Sequence, residues 1–400
     1  MLDEVVVTGM GVVSCVGTGV GAFWESVREG RCGLRELRRL NADDFSYRVG
    51  GEAVGFDLEQ PDEDDLDPAV RFLLGACEEA VGDGEAALED RCDCALVIST
   101  NFGATANLER FLGNINSGGQ PSEGDFTSTL LQSDADAVAA RLGAGGPKVC
   151  LSLSCASGNA AIAVAADLVR TGRVPAALAA GYDAISAYSW SGLGVLRVMT
   201  PDGVVRPFDA GRNGTLFSEG SGALLLESRK HAEERGAAEL AIVLGCGMNN
   251  NAYHMAHSRE DGEGTQLALR AALADAGLGA EQIDHVNFHG TGTKLNDSTE
   301  TRAVKAVLGR RAGGIPMCSI KGTIGHGMGA ASAFEAIASI MTVREGIIPP
   351  TVNLLEQDPE CDLDYVPGAA RQASVRTVLS NSAGIGGCNA AVVFAAPDFR

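Results

Sequence analysis

Aromatic residues make up only 5% of this 400-residue sequence, and only two are tryptophan. A core with so few rings must be filled by short aliphatic side chains. With 52 glycines, the composition is that of a tightly packed α/β protein and not of a disordered chain. Basic residues are also scarce: 31 against 52 acidic ones leave a net charge of −21. A broad positive face for nucleic acid is therefore not expected, and the acidity favours solubility and self-repulsion. An acidic partner would need a local basic patch. No run of eighteen apolar residues exists, so no membrane association is expected. The chain opens Met1-Leu2-Asp3-Glu4 without a basic stretch followed by an apolar one, and no secretory signal is read there. The eleven cysteines have no framework spacing; only Cys92-Asp93-Cys94 is close, a poor metal signal by itself. Reduced thiols in a cytoplasmic protein are expected, with no metal.

Four hundred residues exceed one small core and fit a large α/β unit or two fused halves. Val5–Val13 reads as a buried strand ending in glycines. Its Gly9-x-Gly11 lacks a third glycine in register, which counts against a dinucleotide loop. Strands are expected at Ala95–Thr100, Ala176–Tyr182, Ala223–Glu227, His285–His289, Arg376–Asn381 and Ala390–Ala395. Helices are expected at Ala22–Glu29, Pro68–Val81, Ala104–Asn114, Thr127–Leu142, Thr265–Ala276, Ser298–Leu308 and His326–Glu345. Lys230–Arg235 reads as a charged helical turn with a solvated His231. Leu240–Met248 echoes Val5–Val13 as a weak internal repeat, placed where a second half would begin. Alternating strands and helices argue for parallel or mixed sheets covered by helices. No low-complexity linker lies at the midpoint, so the halves should pack together. No G-x-S-x-G elbow occurs, which counts against an α/β-hydrolase.

The most informative stretch is Leu151-Ser-Leu-Ser-Cys155-Ala-Ser-Gly158. Val149–Leu153 is apolar and strand-like, and Ala156–Arg170 is strongly helix-forming. Cys155 then sits at a strand-to-helix turn, at the positive end of a helix dipole. The thiolate is expected to form more easily there than at the reference pKa of about 8.5. Small neighbours let a substrate carbonyl approach the backbone amides. A buried structural thiol is the bland alternative.

Three further stretches look chemical. Phe288-His289-Gly290-Thr291-Gly292-Thr293 ends a strand in a Gly/Thr turn. Ser319–Ala330 carries Lys321 and His326, with His326 expected to open a helix, whose positive end disfavours imidazolium. Asn381–Asn389 is a glycine-rich turn whose amides could face an oxyanion. Only six histidines occur in the chain, and two fall in these turns.

The ordered set of Cys155, H-G-T-G-T at 289–293, Lys321 with His326, and Gly384-Ile385-Gly386-Gly387 resembles the β-ketoacyl–acyl-carrier-protein synthases. The likeness runs from the first strand to the last, and is nearest to the type II condensing enzymes of fatty-acid and polyketide synthesis. It implies a thiolase-like five-layer αβαβα fold of two similar halves, residues 1–238 with the nucleophile and 239–400 with the His and Lys residues. It implies an acyltransferase that condenses an acyl group on Cys155 with malonyl–carrier protein and releases CO2. It also implies a homodimer, or a heterodimer with a chain-length-factor homologue. No cofactor is implied beyond the phosphopantetheine of the acyl carrier protein.

By the same resemblance Cys155 accepts the acyl group, and His289 and His326 act on the extender thioester. Lys321 orders the site, and Glu335 pairs with it. Thr291 and Thr293 touch the phosphopantetheine arm, and the amides of Cys155 and Ile385 form the oxyanion hole. Gly384, Ile385, Gly386, Leu193, Leu108, Asn251 and His254 correspond to gate and pocket positions. Ile385 stands where elongating members carry a gating Phe, Leu193 where they carry an aromatic, and Cys388 where they carry Thr. His254 reads as a loop-fastening residue and His257 as exposed. The surface helix near Pro68 is often basic in the family, but here the acidic run Asp62–Asp67 precedes it and only Arg71 remains. Arg197 and Arg206 are the better candidates for docking the carrier protein. A thiolase, by contrast, would use a second catalytic cysteine near the C-terminus; Cys388 lies in that region, but the histidine pair and Lys321 favour the decarboxylating class.

Overall fold

The computed structural model describes residues 3–41, 43, 45–58, 65–82, 93–255 and 258–399. Ten strands form the main path of one hydrogen-bonded sheet. In chain order they are β1 (Val5–Ser14), β2 (Cys94–Ser99), β3 (Lys148–Leu151), β4 (Ala176–Asp183) and β5 (Gly220–Ser228), then β6 (Ala241–Asn250), β7 (His285–Asn287), β8 (Met317–Cys318), β9 (Thr377–Gly384) and β10 (Cys388–Ala395). Their spatial order is β3-β2-β4-β5-β1, then β6-β10-β9-β7-β8. Counted within each half from its outer edge to the seam, both read third, second, fourth, fifth, first. The directions repeat as well. In each half the second strand runs parallel to the third and fourth, and the fifth is antiparallel to the fourth and first.

The two halves meet where β1 pairs β6 antiparallel, Val6 opposite Ile242 and Val7 opposite Ala241. The segments that echo each other in sequence are therefore the equivalent first strands of the two halves, and they are neighbours.

The helices repeat too. In the first half α1 (Pro68–Val81) and α2 (Leu131–Leu142) join strands one to two and two to three, and α3 (Ser157–Arg170) joins three to four. In the second, α4 (Glu263–Ala276), α5 (Lys294–Leu308) and α6 (Ala331–Glu345) do the same. The outer helices cover one face of each half-sheet. α3 and α6 pack on each other between the halves, touching strands of both. The result is five layers.

The central pair explains the poverty of rings. α6 buries every residue from Ala331 to Val343. A helix buried on every face must be enclosed on all sides, with partners for its few polar side chains. Small residues bring the backbones together. A Cβ on Gly158 of α3 would lie 2.4 Å from the Ala333 nitrogen of α6, and one on Gly181 of β4 would lie 2.4 Å from the Gly329 oxygen. The glycines of β1 have the same use: Cβ atoms at Gly9 and Gly11 would fall 1.8 Å and 1.9 Å from the Ala80 and Ala76 oxygens of α1. They are packing glycines.

Several local expectations change. Thr127–Leu142 is two helices, Glu123–Thr127 and α2, because the first ends at Ser128 and the backbone of Leu130 is extended, with ψ 134°, before α2 begins. His326 does not open a helix: a 3₁₀ turn, Met328–Ala330, precedes α6. His231 is half-buried and pairs its Nδ1 at 2.6 Å with the buried Glu227, which Arg235 also engages. Cys92, His257 and much of the acidic run before Pro68 lie outside the described residues. No helix among the described residues is long and apolar enough to cross a membrane.

Gly181→Ala should destabilise the fold by about 1–3 kcal/mol, since a methyl there must displace backbone. Gly113→Ala, in the Thr105–Asn116 helix with nothing within 4 Å of the new methyl, should stabilise it by about 0.5–1 kcal/mol. Urea unfolding of both variants checks the pair.

Candidate active site

Strand β3 ends at Leu151, and the chain turns into α3 through Ser154, whose φ of +52° is left-handed for a residue with a side chain. The turn sets Cys155 just ahead of α3, buried at 7% exposure. From the second half come His289, two residues past the end of β7, and His326, in a single bridge to Phe217. The Cys155 sulfur and one nitrogen from each imidazole all lie within 4.8 Å of one another. The two rings stand edge to face with centroids 5.1 Å apart.

The hydrogen bonds fix the tautomers. The Met328 N–H donates to His326 Nδ1 at 3.0 Å, so that nitrogen carries a lone pair and the proton sits on Nε2. The Lys321 ammonium faces His289 Nδ1 at 3.1 Å and donates to the His289 carbonyl at 2.6 Å. An ammonium has only protons to offer, so His289 also accepts on Nδ1 and bears its proton on Nε2. Burial pushes both imidazoles well below the usual histidine range, and the positive Lys321 pushes them further. Both are neutral N–H donors. The reason differs in part from the sequence expectation: burial and Lys321, with no helix end, keep His326 uncharged.

Lys321 is itself buried and forms an ion pair with Glu335 of α6, whose other oxygen accepts from the Ser382 hydroxyl at 2.8 Å. Buried charges persist when paired and hydrogen-bonded in this way. The strand-end loop has a second anchor. Glu300 of α5 accepts from the His289 and Gly290 amides at 2.7 and 2.9 Å, and from the Asn381 side chain at 2.7 Å. Arg212, 1% exposed, donates to the carbonyls of Thr293 and Lys294 at 3.2 and 3.0 Å and pairs with Asp358. Sequence reasoning missed Glu300, Asn381 and Arg212. The only signal for Glu300 was an acid within a helix of Ser, Thr and Ala.

The thiol departs from the expectation of easy ionisation. Burial raises Cys155 above the ordinary thiol value, while the Ser154 hydroxyl, the Lys321 charge and the Ile385 N–H pull the other way. The Ile385 contact aims one backbone donor at the sulfur. Gly384 permits it, since a Cβ there would sit 2.8 Å from Ser154 Cβ and 3.0 Å from the Cys155 nitrogen.

A cavity of about 220 Å³ opens on these groups. Cys155, His289, His326, Thr291, Thr293, Gly384, Ile385 and Gly386 line it, as do Thr215 and Phe217, which the sequence reading did not single out. Thr291 and Thr293 join hydroxyls at 2.9 Å. Leu193 is buried in a cluster with Phe217, behind the wall, and Leu108 lies on the helix Thr105–Asn116; neither lines the cavity. Asn251 braces the turn through its N–H to the Gly387 carbonyl at 3.0 Å, and His254 is exposed. Arg197 is exposed. Arg206 pairs with Asp202, and Arg71 is committed to the carbonyls of Asp57 and Leu58.

The thiol and two imidazoles have the composition of a metal site, but their surroundings do not fit one. A metal-binding histidine donates its second N–H to an acceptor. Here each Nδ1 meets a donor, so a metal on Nε2 would force a proton against Met328 N–H or the Lys321 ammonium. The set suits donation of two hydrogen bonds to an oxygen developing negative charge.

Residues 2–232 match the model of the beta-ketoacyl synthase N-terminal domain, and residues 240–355 that of the C-terminal domain. The chain is 36% identical to 3-oxoacyl-[acyl-carrier-protein] synthase 2 of Synechocystis sp., over 98% of this chain and 97% of that one. It superposes with a TM-score of 0.92 on a chain of the ishigamide ketosynthase/chain length factor, 34% identical and covering 99% of both. On a chain from a type II PKS acyl-carrier protein in complex with its ketosynthase bound to the hexaketide, the TM-score is 0.91, at 31% identity and full coverage of both.

Alkylation of Cys155 by iodoacetamide should accelerate about tenfold per pH unit from about pH 6 to about pH 9, without a plateau. A thiolate–imidazolium pair would instead give a flat rate at low pH. Intact-protein mass spectrometry across the range decides between them.

Proposed function

Because the chain belongs to the beta-ketoacyl synthase family, we infer that this acyltransferase condenses acyl and malonyl thioesters on an acyl carrier protein. The observation that carries the reading is the pair of neutral Nε2–H donors facing one thiol. Cys155 Sγ attacks the carbonyl of an acyl thioester; the carrier's thiolate leaves and takes up the cysteine proton. Malonyl thioester enters next, its arm beside Thr291 and Thr293. Its carboxylate departs as CO2, and the bonding pair passes to the α-carbon and thioester oxygen. His289 and His326 donate to that oxygen as charge builds there. One such donor is worth about a hundred- to a thousandfold in rate. The carbanion attacks the acyl-Cys155 carbonyl, whose oxygen is received by the Cys155 and Ile385 amides. Collapse breaks the carbon–sulfur bond, releasing a chain two carbons longer on the carrier, and the freed Cys155 thiolate takes a proton from water. Loss of CO2 drives the condensation forward.

The reading needs no resident cofactor, since the carrier's phosphopantetheine supplies the thioesters. It needs a reduced thiol, which favours the cytoplasm; the cysteines of the described residues are all free. Arg197 is the best-placed cation for docking an acidic carrier, because Arg71 and Arg206 already have partners. A heterodimer with a chain-length-factor homologue is the second reading. It is favoured by the likeness to a ketosynthase/chain length factor. Condensing activity in the chain purified alone would rule that requirement out. The exposed Ile385 at the mouth favours a specialised acyl chain over the usual ring-gated choice.

Cys155→Ala should lose the acyl mass adduct yet still release CO2 from malonyl–carrier protein. His289→Ala should keep the adduct and lose CO2 release about a hundredfold or more. Acyl adducts without CO2 release from the unaltered protein would point to a non-decarboxylating acyltransferase. Ile385→Phe should shift chain-length preference in competition between acyl carriers; an unchanged preference removes the gate from the account.

A further inference from the structure

Asp183 ends β4 in the first half, fully buried, and forms no ion pair among the described residues. Four donors converge on its carboxylate: the Thr100 hydroxyl at 2.6 Å, the Asn101 and Phe102 amides at 3.0 Å each, and the Gly329 amide at 2.7 Å. Burial still pushes its carboxyl up to about 6, so the group is expensive to keep there. The last donor belongs to the second half. Gly329 follows Met328, whose φ of +55° is left-handed and strained for a side chain of that size. Met328 is the residue whose N–H occupies His326 Nδ1. The contact needs glycine: a methyl on Gly329 would lie 2.8 Å from Asp183 Oδ2, from Thr100 Cα and from the Tyr182 oxygen.

We propose that Asp183 is a positioning residue for His326: by gripping the Gly329 amide it holds Met328 in its left-handed turn and thereby keeps the His326 proton on Nε2, facing the cavity. The proposal rests on the reading of His326 as an enolate donor, but its first readout does not. Asp183 touches neither thiol nor substrate. It acts through two consecutive peptide units, and it ties the tautomer of a second-half histidine to the loop after β2 in the first half. Thr100 strengthens the grip, since its oxygen also accepts from the Phe102 and Gly103 amides at 3.2 and 2.8 Å.

Asp183→Asn tests the proposal. An amide of the same shape offers one acceptor oxygen to four donors and turns its NH2 group against two of them, so the grip on the Gly329 amide loosens while volume is kept. In histidine-¹⁵N-labelled protein, with His326 assigned by comparison with His326→Ala, the unaltered chain should show protonated Nε2 and unprotonated Nδ1. Asp183→Asn should show a mixture of tautomers. CO2 release from malonyl–carrier protein should fall about tenfold or more with KM little changed, while acylation of Cys155 proceeds at nearly the original rate. If Asp183→Asn does not fold, Thr100→Val removes one donor and should shift the same signals less far. A pure Nε2–H signal in the variant overturns the proposal, as does an equal loss of acylation and CO2 release, which would mark a structural role. A tautomer shift without loss of CO2 release would leave the positioning intact and overturn the reading of His326 as a donor to the enolate.

Discussion

The site depends on one ammonium in a place where no charge is cheap. Lys321 is enclosed by α6 and the strand-end loop, and it can exist there because Glu335 answers its charge and the His289 carbonyl accepts a further hydrogen bond. Its remaining reach is spent on His289 Nδ1. That contact converts an ambiguous imidazole into a directed donor and also keeps it neutral. Remove the ammonium and the ring is free to turn its lone pair toward the cavity, where it would repel the oxygen that the proposed mechanism places there. An electrostatic arrangement fixed before substrate arrives needs no reorganisation during reaction.

The fold delivers these groups by duplication. Each half contributes the loops at the ends of its parallel strands: β3 brings Cys155, its counterpart β8 brings Lys321 and His326, and β7 brings His289. The ends of the two equivalent third strands thus carry dissimilar groups, a thiol on one side and an ammonium and an imidazole on the other. The antiparallel seam of β1 and β6 and the enclosed helices α3 and α6 fix the halves against each other. Close contact between the helix backbones leaves little slack at the meeting point.

Much of this was legible in the chain. Cys155, His289, Lys321 and His326 stood in turns with the right neighbours, and strand–helix alternation gave the layered architecture. What escaped notice followed from distance. Nothing near His289 announces that a carboxylate eleven residues on will hold its amide, because Glu300 reaches back across a loop. The thiol was misjudged because a helix end is visible in sequence whereas burial is not. His326 reads as the start of a helix because the small-residue run after it continues into α6, yet the left-handed Met328 separates the two. Leu108 and Leu193 match pocket positions by order alone, and the cavity wall is drawn instead by Thr215 and Phe217.

Gly384 has an implication for how such a site can diversify. Its missing side chain lets the turn rest against the nucleophile's own amide, so the inner edge of that turn admits no substitution without disturbing the sulfur. One residue further, Ile385 faces outward and is 40% exposed. On the proposed reading, variation at the tip of this turn then falls on Ile385, where it would alter which chains are admitted while the reacting atoms stay where they are.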